Sequence, residues 1–220
     1  MKSRGFTLIE IIVSLGIFSI VAVIAVGALV RVTSANHQAQ AIQSGVNNVS
    51  FVLDAISREM RVGTTYSCSV NPSLQGTFYN GGGGLTSTPC PTTSSPNNVI
   101  IAFSSSNVDP NDRSCNLIYA YLFHIETDGN TMIYKAEETS CDQKIQGVQG
   151  VTGLPNDGST AFYPVTSSSI KILAYKAGVY GGSGSTPYGS VFIRLYGYAG
   201  TKIKDQSVFD VETTISQRSQ

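Results

Sequence analysis

The chain predicts an α+β fold: a long N-terminal α-helix packed by its C-terminal half on an antiparallel β-sheet. Three observations carry this. An almost unbroken apolar run extends from Phe6 to Val30. A helical pattern continues beyond it to about Arg61, with no proline before Pro72 to interrupt it. From Val62 onward the composition shifts to Ser, Thr, Gly and Tyr, and successive segments alternate apolar and polar residues with period two.

The N-terminus opens with the basic residues Lys2 and Arg4, then Gly5, and then the apolar run from Phe6. At about 25 residues the run is long enough to cross a bilayer. The apolar core of a secretory signal peptide is shorter, about 7–15 residues, and ends in a small-residue cleavage site. Lys2 and Arg4 precede the span, so the leader stays cytoplasmic and the bulk of the chain lies outside. One carboxylate, Glu10, sits inside the run. A charge there costs roughly 2.5–3.5 kcal/mol on insertion scales, so it needs a partner. A plain membrane anchor has no use for it. A subunit drawn from the membrane into a helical bundle does, because the carboxylate can meet a neighbour's N-terminal amine.

Beyond Arg31 the helix becomes amphipathic. Ala35, Ala39, Ile42, Val46, Val49, Leu53, Ile56 and Met60 alternate steps of four and three and form one continuous stripe. The other side carries Asn36, Gln40, Asn47, Asn48 and Arg58, with Asp54 and Arg58 spaced for an i,i+4 pair. Such a stripe suits either a coiled-coil seam or a helix laid on its own sheet. The strand-rich remainder favours the sheet. A helix from Phe6 to about Arg61 would be roughly 84 Å long. Gly63 and the following Thr64-Thr65 supply its stop. Gly16, Gly27 and Gly45 each weaken it by about 1 kcal/mol relative to Ala, and Gly27 is the expected place for local loosening.

Ser67–Asn98 holds four prolines and the Gly81–Gly84 run, and reads as an extended loop with a short strand near Thr77–Tyr79. The Gly81–Gly84 run lacks the following Lys-Ser/Thr of a phosphate loop and reads as a turn. Val99, Ile101 and Phe103 mark one strand. Leu117, Tyr119, Tyr121, Phe123 and Ile125 mark the next, and its opposite face, Ile118, Ala120, Leu122 and His124, is nearly as apolar. Thr127-Asp-Gly-Asn130 is a hairpin turn, from which Met132, Tyr134 and Ala136 return. Ile170–Lys176, Val191–Tyr198 and Val208–Ile215 complete the set. In the last, Phe209, Val211, Thr213 and Ile215 face in while Asp210, Glu212 and Thr214 face out.

Four cysteines, Cys68, Cys90, Cys115 and Cys141, all follow the apolar run. An even number in an exported domain points to two disulfides with three possible connectivities. The hairpin centred on Asp128-Gly129 brings Cys115 almost opposite Cys141. An ideal two-residue turn is off by one, and a single bulge absorbs the difference. That leaves Cys68 with Cys90, closing the Gly81–Gly84 loop. Each bridge closes a loop of about 20–30 residues, worth roughly 3–4 kcal/mol in the chain-entropy model.

The chain has 220 residues, with 14 basic and 14 acidic side chains. Loss of the leader removes Lys2 and Arg4 and leaves the acidic residues two ahead, which argues against nucleic acid as a partner. Lys202 and Lys204 are the one local basic cluster and read as the edge of a turn. No cofactor or metal site is expected. There is no C-x-x-C pair, and neither His37 nor His124 has metal-ligand spacing to a cysteine. His124 reads as a core or edge histidine, and no serine sits in a Gly-x-Ser-x-Gly elbow. Asp109-Pro-Asn-Asp112 offers three oxygen-bearing side chains, a spacing that suits a proline turn and lacks the EF-hand pattern for calcium. The eleven tyrosines fall mostly at strand positions. No nucleophile and base are paired, so no enzymatic activity is expected.

Lys2, Arg4, Gly5, Phe6, Thr7, Leu8, Ile9 and Glu10, taken in register, resemble the type IV prepilin signature. The resemblance extends as far as Thr65. It implies that prepilin peptidase cuts between Gly5 and Phe6 and methylates the Phe6 amine, and that Glu10 pairs with this amine on a neighbouring subunit. It implies the pilin fold, other pilins or pseudopilins as partners, and a single-pass stay in the cytoplasmic membrane before entry into an extracytoplasmic filament. The divisions it suggests are a leader (1–5), a transmembrane and assembly half-helix (6–31), an amphipathic half-helix (32–62) and a disulfide-containing β-rich head (63–220). Leu53–Arg61 loosely resembles the matching helix of the J-type minor pseudopilin of type II secretion, and Thr213–Arg218 the closing strand of minor pilins. The expected function is therefore that of a minor pilin or pseudopilin, with a filament-tip adhesin or DNA-uptake receptor as the alternative.

Overall fold

With no proline to break it, helix α1 runs unbroken for 55 residues, Leu8–Val62, in the computed structural model, a length of about 82 Å. The structure describes residues 7–70, 79–80, 84–85, 90–94, 98–108, 115–139, 151, 161–167, 170–183, 186–200 and 206–217. The strands follow α1 as β1 (Thr64–Val70), β2 (Tyr79–Asn80), β3 (Gly84–Leu85), β4 (Cys90–Ser94), β5 (Val99–Val108), β6 (Asn116–Ile125), β7 (Thr131–Thr139), β8 (Tyr163–Pro164), β9 (Ile170–Ser183), β10 (Thr186–Ala199) and β11 (Ser207–Ser216). Among the described residues, nine strands form one sheet with the path β1-β5-β6-β7-β9-β10-β11, while β4 joins β9 and β8 joins β7. Every pairing is antiparallel. A separate two-stranded ribbon pairs β2 with β3. The α+β architecture is as expected: long helix first, antiparallel sheet after.

The helix stripe is buried over a shorter distance than its periodicity suggests. Gly45, Val49, Val52, Leu53, Ile56 and Met60 are buried, whereas Ala35, Ala39, Ile42 and Val46 are exposed. The sheet ends where Ala199 meets Gly45, so nothing in the described head reaches the upper part of the stripe. A Cβ on Gly45 would fall 2.0 Å from Ala199 Cβ. Gly45 is therefore a contact point for β10 as well as a weak link in the helix. The C-terminal stop also differs in mechanism. Gly63 keeps an extended backbone, φ −75° and ψ 156°, and its N–H donates to Met60 O at 3.0 Å. It is small because Phe103 lies where a Cβ would be, 2.4 Å away. Thr65 takes the positive φ of 54°, and a bulge between Thr64 and Ser67 starts β1.

The head has two cores. The larger lies between α1 and the sheet, joining Ile56 and Met60 to Phe103, Tyr121, Phe123, Ile193 and Leu195. The smaller lies behind β5–β7, where Ile100, Ala102, Ile118, Leu122 and Tyr134 meet Val151 and Phe162. This explains why both faces of β6 are apolar: Leu117 through His124 are all buried. Met132, Tyr134 and Ala136 serve the second core, while Ile133 faces the first.

The stretch read as a loop, Ser67–Asn98, holds β2, β3 and β4 and the C-terminal part of β1. β1 was hidden by its Ser/Thr content, yet Tyr66, Ser67 and Cys68 are buried within it. β4 contains Pro91, which sits in the irregular step between the ladder positions Cys90 and Thr93, where no partner needs its missing N–H. The short strand expected near Thr77–Tyr79 begins at Tyr79. β9 outruns its predicted end at Lys176 by passing through glycines to Ser183. On β11, Phe209 and Ile215 are buried, Val211 packs partly against the core, and Asp210, Glu212 and Thr214 are exposed.

The β6–β7 turn contains the bulge. Gly129 N–H donates to Glu126 O at 2.9 Å, Glu126 N–H to Asn130 O at 2.7 Å, and Gly129 adopts φ 77°. This is a three-residue loop closed by a glycine bulge. It sets Ile125 opposite Thr131 and Leu117 opposite Thr139, the register that a Cys115–Cys141 pairing requires. Cys115 is disulfide-bonded. Cys141 lies outside the described residues, as do most of the Gly81–Gly84 run, Asp109–Asp112, Lys202 and Lys204. Cys68 on β1 and Cys90 on β4 are bridged, with Cα atoms 5.6 Å apart.

The Gly45 contact gives a directional test. In an exposed helix Gly→Ala stabilises by about 1 kcal/mol. Here Gly45→Ala must push α1 off β10, and overpacking of this kind costs about 1–3 kcal/mol. Thermal unfolding of the detergent-solubilised chain should show Gly45→Ala melting lower than wild type, with Ala199→Gly restoring part of the loss. A higher melting temperature for Gly45→Ala would remove the close approach from the account.

Candidate functional site

The residues with functional potential form two groups along α1, one at its exposed start and one where it meets the sheet. At the start, every large apolar side chain from Leu8 to Val32 is 52–78% exposed, on all sides of the helix. The stretch has a mean hydropathy of 2.7 in its most apolar window and is the one described helix long and apolar enough to cross a membrane. Two hydroxyls along it bond back to the helix: Ser19 Oγ donates to Leu15 O at 2.8 Å and, just beyond, Thr33 Oγ to Leu29 O at 2.7 Å. Such back-bonding keeps a hydroxyl tolerable in hydrocarbon.

Glu10 lies in the first turn of α1. Its backbone N–H and that of Ile11 donate to Thr7 O at 3.1 and 3.3 Å. Thr7 is the N-cap but makes no side-chain capping bond. Glu10 is exposed, and its carboxylate has no hydrogen-bond or ion-pair partner among the described residues. A carboxylate at a helix N-terminus is favoured by the helix dipole. Gly5 and Phe6 lie outside the described residues.

At the other end, a polar cluster pins α1 to the sheet. Glu59 accepts from Lys135 Nζ at 2.6 Å through one oxygen and from Tyr121 OH at 2.6 Å through the other. Lys135 Nζ also sits 4.2 Å from the centre of the Tyr119 ring, a cation–π contact. Lys135 and Tyr121 are cross-strand partners on β7 and β6, so the hairpin register brings both to one carboxylate. Burial raises the Tyr121 pKa, and the hydrogen bond and charge of Glu59 raise it further. For Lys135, burial acts to lower the pKa, but the Glu59 hydrogen bond and charge outweigh it and the net shift is upward. The end of the helix is held again by Tyr66, whose hydroxyl donates to Met60 O and whose pKa burial pushes up to about 12. Asn48 Oδ1 accepts from Ser167 N at 3.4 Å, so Asn48, expected on the polar side, touches the head.

The sequence reading missed this cluster. Its signal was Lys135, a charge alternating with Ile133 on a strand face turned toward the helix, and Glu59, next to Met60 at the border of the apolar stripe. The arrangement contains no nucleophile beside a base; it fixes the rotation of α1 against the sheet. His124 is buried, with Nδ1 3.2 Å from Asn98 Oδ1, as a core histidine should be. His37 is exposed on α1. Among the described residues, no group of His, Cys, Asp and Glu could hold a metal ion.

Removing one partner from a fully buried pair costs roughly 3–5 kcal/mol, and partial solvation here reduces this to about 1–3 kcal/mol. Glu59→Gln should therefore lower the melting temperature at pH 7. Because the Lys135 pKa is raised on folding, its contribution is complete below the ordinary lysine value of about 10.4 and fades as pH rises through the folded value. The gap between wild type and Glu59→Gln should shrink above about pH 10.5. A gap that stays constant from neutral to strongly alkaline pH would show that the ion pair contributes nothing.

A family model for the prokaryotic N-terminal methylation motif matches residues 1–26. No curated protein and no solved structure matches the chain. Motif and helix together fit a single-pass anchor in the inner membrane with the head outside, before assembly into a filament. Over residues 1–26 the chain thus carries the type IV prepilin signature.

Proposed function

We propose that this chain is a minor pilin or pseudopilin, a structural subunit of a type IV pilus or a type II secretion-like filament. One observation carries the reading: an all-round apolar helix, uncovered from Leu8 to Val32, with a single carboxylate near its start. Lipid covers such a helix before assembly, and neighbouring helices cover it afterwards. Prepilin peptidase removes residues 1–5 and methylates Phe6. In the assembled bundle, Glu10 pairs with the methylated amine of an adjacent Phe6 in apolar surroundings, where a charge pair is strong and poorly screened. Residues 6–31 serve as the assembly half of the helix, 32–62 as the amphipathic half, and 63–220 as the head. The dispersed cysteines and the chain length favour a minor over a major subunit.

Mass spectrometry of the exported protein should find N-methylated Phe6 as its first residue. An intact Met1 in the assembled form, or a cut near Gly27, would remove the processing step from the proposal. Substituting Gly5 with a bulky residue should leave uncleaved protein in the membrane.

Glu10→Val should insert and be processed normally but enter filaments poorly, as read by its share of the sheared filament fraction. Incorporation at the wild-type level would mean that the carboxylate does not pair with a neighbour's amine.

A further inference from the structure

Among the described residues, neither core covers the face of the β9–β10–β11 sheet turned away from α1. Val191, Ile193 and Leu195 of β10 enter the main core, so the intervening positions point outward. The second core covers only the back of β5–β7. Along β10 the outward row is Phe192, Arg194, Tyr196 and Tyr198, spaced about 7 Å apart at two-residue steps. Tyr196 is 41% exposed, and the other three are half-buried. Their β9 neighbours leave the rings open: Gly178 stands opposite Phe192 and Ala174 opposite Tyr196.

The charges within this row cancel. Arg194 donates to both oxygens of Asp210, at 2.9 and 2.6 Å, and Glu212 lies 3.9 Å from its Nε. Lys176, opposite Arg194 on β9, is exposed. Lys171, opposite Tyr198 on β9, pairs with Asp128 at 3.6 Å. Three cations and three carboxylates in one patch give no net field to steer a polyanion or a polycation. They do supply donors and acceptors beside flat aromatic faces, the mixture that marks a ligand site of apolar rings with a few placed polar groups.

We propose that this face binds a neutral polysaccharide. Pyranose rings present C–H bonds to the electron-rich faces of Phe192 and Tyr196. Their hydroxyls meet Arg194, Asp210 and Lys176. A neutral polyhydroxylated chain is the biopolymer whose alternating apolar faces and hydroxyl rims match a row of rings interrupted by a self-neutralised ion pair. A nucleic acid would stack on the same rings, but its phosphates need an unopposed basic track, which Asp210 and Glu212 deny. The inference goes beyond the filament reading and does not require it, because it is tested on the unassembled chain.

The test is affinity electrophoresis of the full detergent-solubilised protein through gels carrying hydroxyethyl cellulose, mannan or dextran, with pull-downs on chitin and cellulose and a parallel assay on single-stranded DNA. At least one neutral polysaccharide should retain the wild type. Phe192→Ala/Tyr196→Ala should weaken that retention about tenfold or more. Tyr196→Phe should preserve most of it, and Phe51→Ala, an exposed aromatic on α1, should leave it unchanged. Circular dichroism melts establish that each variant is folded, and Tyr196→Ala alone serves if the double variant is not. Retention by DNA alone with a steep salt dependence, retention that survives loss of the rings, or no retention by any neutral polysaccharide would each overturn the proposal.

Discussion

The structure depends on how one continuous helix is seated on one sheet. At the upper contact, α1 approaches β10 so closely that Gly45 and Ala199 leave no room for another methyl group. At the lower end, Glu59 reaches across to Lys135 and Tyr121, and Tyr66 holds the carbonyl of Met60. Between them the apolar positions from Val49 to Met60 fill the core. Hydrophobic burial is non-directional, so it would tolerate some rotation of the helix. The carboxylate and the close contact remove that freedom. The consequence reaches the other end of the molecule: with α1 continuous to Leu8, the angular position of Glu10 is set relative to the head.

The sheet is organised to serve that seat. β6 is buried on both faces and separates the helix-facing core from the smaller one behind. The glycine bulge at Gly129 sets the β6–β7 register, and that register puts Lys135 beside Tyr121. Asn130, just past the turn, accepts from Ile172 N at 2.8 Å. It joins the hairpin to β9 where the ladder has a single described pair, Thr131 with Ile172. The Cys68–Cys90 bridge ties β1, at one end of the sheet path, to β4, which pairs with β9. A covalent link there joins two strands that do not pair with each other in the ladder.

What could be read from the residues follows from which signals are local. The apolar run, the absence of proline and the isolated Glu10 are properties of contiguous residues, and they predicted the helix and its role together. β11 alternated cleanly and was found with its inward residues nearly right, and β6 and β7 were found as strands although β6 is apolar on both faces. β1 and β4 were not found, because their pairing partners lie far away in sequence and their own composition resembles a loop. The stripe was over-read at its upper end for a related reason. Periodicity states which side of a helix is apolar, but the length that is covered depends on where β10 ends, and no local pattern carries that. Glu59 was missed because a charge at the edge of an apolar stripe looks solvated until the opposing strand presents a lysine.

The two faces of the β9–β11 region divide the work of the head. The inner face is committed to α1 through Val191, Ile193, Leu195 and Phe209. The outer face carries exposed Tyr196 and the Arg194–Asp210 pair. Alternation along β10 means that a residue exchanged on one face leaves the other untouched. The outer side chains can therefore vary without disturbing the helix seat, and the seat can hold α1 in place whatever the outer face contacts. Among the described residues of the head, this strand row is a stretch that neither core takes up.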